Sequence, residues 1–194
     1  MDTYNLREFI AKFVIPDVEK MLSTELHYYA VSVICQSIEV LGSVFDQKEI
    51  DDYGMCEKRF DSALSNLFND DRYRAWKGKL FEFLRAPLIH QIRPGSEFII
   101  TSTRRDETDP ENHFQKDSNG RVILVVERFY GDFRRAFDAF NRILDKRADL
   151  DRRKVEAPFI FVGTVGMPIP VKSWDKDTGE RIVSQANGTG VFIR

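Results

Sequence analysis

Leu84-Arg85-Ala86-Pro87-Leu88-Ile89-His90-Gln91-Ile92-Arg93-Pro94-Gly95-Ser96-Glu97-Phe98-Ile99-Ile100-Thr101-Ser102-Thr103 is the stretch in which the chain changes its period. On its N-terminal side, Tyr73, Trp76, Leu80, Phe83, Leu84 and Leu88 recur at steps of three and four, the spacing of one helix face. Beyond Arg93-Pro94-Gly95, residues 97–103 are β-branched and strand-like. A helical half that passes into strand-forming sequence makes the expected fold class α+β.

Working back from this boundary, three more apolar stripes have helical spacing. Phe60, Ala63, Leu64, Leu67 and Phe68 form one, ended by Asn69-Asp70-Asp71. Residues 28–45 form a second, with Val31, Ile34, Cys35, Ile38, Leu41, Gly42 and Phe45 on a wide face and only Gln36 and Glu39 strongly polar in its middle. Such a helix belongs at the centre of a bundle. Leu6, Phe9, Ile10, Phe13, Val14, Val18, Met21 and Leu22 form the third, where Pro16 either kinks one long helix or, with Asp17, opens a second. Four helices joined by short connections predict an antiparallel bundle.

Working forward, residues 121–127 make a stronger strand directly after the turn sequence Asp117-Ser118-Asn119-Gly120. The expectation is an inserted antiparallel β-hairpin over 97–127, with a short extra strand near 113–116. Helical period returns over 129–150, where Phe133, Ala136, Phe137, Phe140, Ile143 and Leu144 share a face that packs back on the bundle. Residues 158–163 read as a strand, and 169–174 with 181–185 as a hairpin across Asp175-Lys176-Asp177-Thr178-Gly179. The expected organisation is a helical domain over 1–154 and a β-rich C-terminal extension or partly ordered tail over 155–194.

Composition narrows the function classes. A chain of 194 residues that is 42% hydrophobic buries roughly 70% of its unfolded surface, enough for one good core. Its net charge of -2 provides no global field toward nucleic acid or anionic lipid, so any polyanion site is local. The sequence shows no secretory leader, and no apolar run approaches about 18 residues. The expectation is a cytoplasmic protein with no membrane association. Cys35 and Cys56 have no second Cys or His at ligand spacing, which argues against a metal site or cofactor. His27 reads as a helix-start residue and His113 as a loop residue, while Asp106, Glu107, Asp109 and Glu111 read as a solvated loop.

The candidate chemistry lies at the end of the fourth helix. Arg85 and His90 are the two side-chain types needed to cleave a phosphodiester without a metal: a guanidinium binds phosphate bidentately, and an imidazole moves a proton near neutral pH. On a straight helix five residues turn through about 500°, which leaves the two about 140° apart. They therefore need either a bend at Pro87 or a second protomer. Glu39 is a candidate to orient either group, or to pair with Arg85 as a purely structural partner. Arg72, Arg74, Lys77, Lys79 and Arg93 are candidates for holding RNA, with Tyr73 and Trp76 as stacking surfaces.

The motif Arg85-x4-His90, the lead-in Leu80-Phe81-Glu82-Phe83-Leu84 and the helix phrase Ile38-Glu39-Val40-Leu41-Gly42 resemble the HEPN superfamily over residues 25–95. The resemblance implies a helical domain that dimerises so that two Arg/His pairs face one cleft. It also implies a metal-independent endoribonuclease in a defence or toxin–antitoxin setting, with Arg85 and His90 catalytic, and with RNA and an antitoxin or other protein as partners. Ala86 departs from the family pattern, because active members commonly carry a polar residue there. The alternative is a catalytically inactive HEPN-like binding or scaffold module.

Overall fold

The computed structural model describes residues 3–48, 54–150, 154–156, 170–174 and 181–185. The chain divides into two compact units, one of residues 2–156 and one of residue 1 with residues 157–194. The larger unit is dominated by helices, with small sheets, so the architecture is α+β. In the smaller unit β5 (Pro170–Trp174) pairs antiparallel with β6 (Arg181–Gln185). The strand expected over 158–163 and the turn over 175–179 lie outside the described residues.

Two proline-containing helices open and close the first half in the same way. β1 (Thr3–Asn5) leads into α1 (residues 6–23), which Asn5 caps by accepting the Glu8 amide at 2.8 Å. Pro16 does not break α1, because the five residues Ile10–Val14 form a wider π-type turn just before it and the Ile15 amide donates to Ile10. The extra residue in that turn absorbs the clash and the missing amide that proline imposes on a regular helix. The same device recurs in α4 (residues 71–91), where the wide turn Phe81–Arg85 precedes Pro87 and the Ala86 amide donates to Phe81. The helix neither stops nor restarts at Pro87. The Phe83 carbonyl, which a non-proline residue at 87 would bond, accepts the Gly95 amide at 2.7 Å. Gly95 is required there, since a Cβ would lie 2.9 Å from the Phe83 oxygen.

Between these lie α2 (His27–Gly42), running on through the turn Ser43–Phe45, and α3 (Cys56–Leu67). Ala30, Val31, Ile34, Cys35, Ile38 and Leu41 of α2 are fully buried, as expected of a central helix. Gly42 lets its end approach α3 closely, because a Cβ would fall 1.8 Å from the Arg59 carbonyl oxygen. The helix has the extent read from the sequence, within one residue, but averaged over its length it is more apolar than the reading allowed. Among the described residues, His27–Phe45 is the single helix of membrane-spanning length and composition, but 56% of it is buried inside the protein. α5 (Val126–Lys146) buries Phe129, Phe133, Ala136, Phe137, Phe140 and Leu144 against the bundle. Each such aromatic contributes about 1.5–3 kcal/mol of burial.

The inserted β element is not the expected antiparallel hairpin. β2 (Phe98–Thr101) and β3 (Val122–Val125) run parallel, with Phe98 opposite Val122 and Thr101 opposite Val125. The turn at Asp117–Gly120 does reverse the chain, but its partner is the segment immediately before it. The Phe114 amide donates to Ile123 at 2.8 Å, and Lys116 bridges antiparallel to Val122. A tight turn pairs the residues that flank it, so β2 is left the other edge of β3. The connection over 102–121 is long enough for the crossover that a parallel pair needs. β1 pairs antiparallel with β4 (Lys154–Glu156), which ties the start of this unit to its end.

Candidate functional site

Arg85 lies at the end of the wide turn in α4 and faces α2, where its guanidinium makes a close ion pair with Glu39. The two side chains are 13% and 16% exposed. Arg85 also stacks over the Phe81 ring at 5.3 Å, and its Nε is buried without a hydrogen-bond partner. The Cys56 thiol lies in the first turn of α3; burial, with the Glu39 carboxylate, pushes it above its ordinary range. Cys35 is pushed up by complete burial. Both groups are therefore protonated, weakly reactive thiols.

His90, on the last turn of α4, is exposed and forms no hydrogen bond or ion pair with the described residues. Arg85 and His90 thus point to different environments within one chain. The chain neighbours of His90, Ile89 and Ile92, belong to a mixed polar and apolar hollow that does not include His90 itself. Tyr28, Tyr29, Leu88, Ile89 and Ile92 line a shallow hollow of about 230 Å³ with Ser32 and Gln36. Leu26, Tyr28, Tyr29 and Ile92 are exposed to between 39% and 61%. Ile92 ends α4 in the left-handed region at φ 57°, a conformation that a β-branched side chain adopts only under strain.

The basic side chains considered for RNA are only partly available. Arg72 is bound to Asp70 and donates to the His113 carbonyl at 2.9 Å. Arg74 pairs with Asp71, and Lys79 sits 5.1 Å from the Trp76 ring centroid. Lys77 and Arg93 are exposed. Tyr73 is not a stacking surface, because it is fully buried among Phe68, Phe114 and Phe129. The Trp76 ring packs edge-on against Phe98.

The burial of Tyr73 exposes a second constellation that sequence reasoning missed. His113, which reads as a loop residue, has its ring 1% exposed. Its Nδ1 accepts the Val125 amide at 3.1 Å where β3 passes into α5. Burial, with help from Arg72 and Arg128, lowers its pKa to about 3, so the ring is neutral. With Nδ1 accepting, the one ring proton must sit on Nε2, which then donates to the Tyr73 hydroxyl at 3.1 Å. The Tyr73 hydroxyl donates in turn to Asp132 Oδ2 at 2.7 Å. Asp132 is buried on α5 and ion-paired to Arg135, with Arg128 Nε 3.8 Å away. One signal was available in the sequence: Asp132 stands between Phe129, Phe133 and Ala136 on the apolar stripe of α5, as Glu39 does on α2.

Among the described residues, no group of three or more His, Cys, Asp or Glu side chains is arranged to hold a metal. No protein-family model, curated protein or solved structure matches the chain.

Proposed function

We propose that this chain is a HEPN-like binding module that acts as a homodimer, with Arg85 serving the fold through Glu39 rather than RNA cleavage. The observation that carries this reading is the Arg85–Glu39 ion pair. A guanidinium that is 13% exposed and already neutralised by a carboxylate has no free charge to offer a phosphate. Ala86 adds no polar group beside it. The exposed apolar side chains of Leu26, Tyr28, Tyr29 and Ile92 are the natural contact for a second copy, since exposed apolar patches mark association sites. Light scattering of the purified chain should give the mass of a dimer, and Tyr29→Glu with Ile92→Glu should convert it to a monomer. A monomeric parent chain counts against this reading.

The second reading, a metal-independent endoribonuclease at the dimer cleft, is favoured by the exposure of His90 beside the same surface. There His90 takes the proton of a ribose 2′-hydroxyl, which attacks the adjacent phosphorus and expels the 5′-oxygen, while Arg85 leaves Glu39 to hold the phosphate. Incubation with single-stranded and structured RNA in excess chelator separates the two readings. The binding module leaves RNA intact, whereas the nuclease produces 2′,3′-cyclic phosphate ends that His90→Ala abolishes.

A further inference from the structure

Arg128, Asp132 and Arg135 occupy one face of α5 at steps of four and three residues. They form one wall of a hollow of about 310 Å³, whose other walls include Leu67, Phe68 and Asn69 at the end of α3 and Asp70 at the start of α4. Asp132 is only 5% exposed, and it lies between the two arginines like a buried anchor. Its Oδ2 is occupied by the Tyr73 hydroxyl, and its Oδ1 faces both guanidinium groups.

The arginine side chains themselves remain 41% and 61% exposed. Each guanidinium has five N–H donors in a planar fork, and Asp132 can engage only part of each. Charge counting gives a net positive site. Arg128 and Arg135 outweigh Asp132 by one, and Asp70 is neutralised by Arg72, whose Nη2 lies 2.6 Å from its Oδ2. Asp132, fixed by the Tyr73 hydroxyl, holds Arg135 by a hydrogen bond and lies 3.8 Å from Arg128, which lowers the side-chain entropy that an incoming anion must otherwise overcome at Arg135. Leu67, Phe68 and Ala136 close the base of the hollow but are no more than 2% exposed, so the groups open to a ligand are mainly the polar ones.

We infer that this hollow binds the phosphoryl group of a small ligand, held by the free donors of Arg128 and Arg135. The site lies apart from the Arg85/His90 motif and does not depend on the function proposed for it. A phosphate has the geometry to take two guanidinium forks, and the volume is at the lower end of the range for small-molecule sites.

The test is calorimetric titration of the full chain at low salt with inorganic phosphate, adenosine 5′-monophosphate and adenosine. Phosphate and the monophosphate should bind and adenosine should not. Arg135→Gln and Arg128→Gln should each weaken binding at least tenfold, while Arg134→Gln, which removes an arginine paired to Glu19 elsewhere on α5, should leave it unchanged. Melting each variant without ligand establishes that it is folded. Arg128→Gln is the safer variant, since Arg128 is the more distant partner of Asp132. Tighter binding of the monophosphate than of phosphate identifies a phosphomonoester with an organic body, and equal binding identifies inorganic phosphate; both uphold the site. Absence of binding by both, or binding that neither glutamine variant alters, overturns it.

Discussion

The Arg85–Glu39 pair and the His113–Tyr73–Asp132 chain are both polar groups set into an apolar bundle, but they are held differently. Arg85 and Glu39 link two helices and stay slightly open to solvent, at 13% and 16% exposure. His113, Tyr73 and Asp132 join a loop, the start of α4 and the middle of α5, with exposures of 1%, 0% and 5%. In the first, two charges cancel each other and one nitrogen of Arg85 still lacks a partner. In the second, the imidazole and the phenol each accept one hydrogen bond and donate the next, and the Asp132 carboxylate ends the chain by accepting from both Tyr73 and Arg135. The comparison shows that a visible motif and a well-satisfied network need not coincide. The motif here is the looser of the two.

Removing one carboxylate at a time tests this contrast most directly. Glu39→Ala strands the Arg85 guanidinium, which is 13% exposed, and should cost about 3 kcal/mol in urea unfolding. Asp132→Ala strands the buried Tyr73 hydroxyl, while Arg135 at 61% exposure keeps its solvent, and should cost about 1–2 kcal/mol. Equal losses erase the distinction.

A pH series sharpens it. The folded pKa of His113 lies near 3, below the ordinary value of 6.5. Above pH 6.5 the ring is neutral in both states and contributes no pH dependence. As pH falls below that value the unfolded chain gains a proton that the folded chain refuses, so stability drops by about 1.4 kcal/mol per pH unit until the folded pKa is reached. The difference in unfolding free energy between the parent chain and His113→Gln, measured at pH 7, 6 and 5, should change with that slope. A flat difference means that the ring is not the buried neutral group described.

The smallest effect is expected in the coupling between Arg85 and Glu39. A double-mutant cycle of Arg85→Ala and Glu39→Ala should return a coupling of about 1 kcal/mol, as for a single contacting pair with partial solvent access. A coupling near zero would make the pair incidental to the bundle.

Much of the helical core was legible because a 3.6-residue period is written into consecutive residues. Val31, Ile34, Cys35, Ile38 and Leu41 announce the central helix without knowledge of anything else in the chain. Pairing is different. The turn at Asp117–Gly120 was plain in the sequence, yet nothing local states whether it returns the chain to residues 114–116 or to 98–101, and the nearer partner won. The antiparallel join of β1 to β4 has the same character, since its two strands are short and far apart in sequence. The network was hidden for a related reason. Tyr73 and His113 are 40 positions apart, and Tyr73 and Asp132 are 59 apart, so no short window of sequence holds Tyr73 with either partner. Only the carboxylate within the apolar stripe of α5 hinted that something had to meet it.

The bond from the Gly95 amide to the carbonyl left vacant by Pro87 makes two distant-looking residues one unit. Proline at 87 creates an acceptor, and glycine at 95 is the residue small enough to reach it. In hydrogen exchange the Gly95 amide should stand as an island of protection between the exposed Arg93 and Ser96, fading only when α4 itself opens. The direction in which the chain leaves the helical half and enters β2 is therefore set by a helix defect and its repair, and a change at either residue is felt at the other.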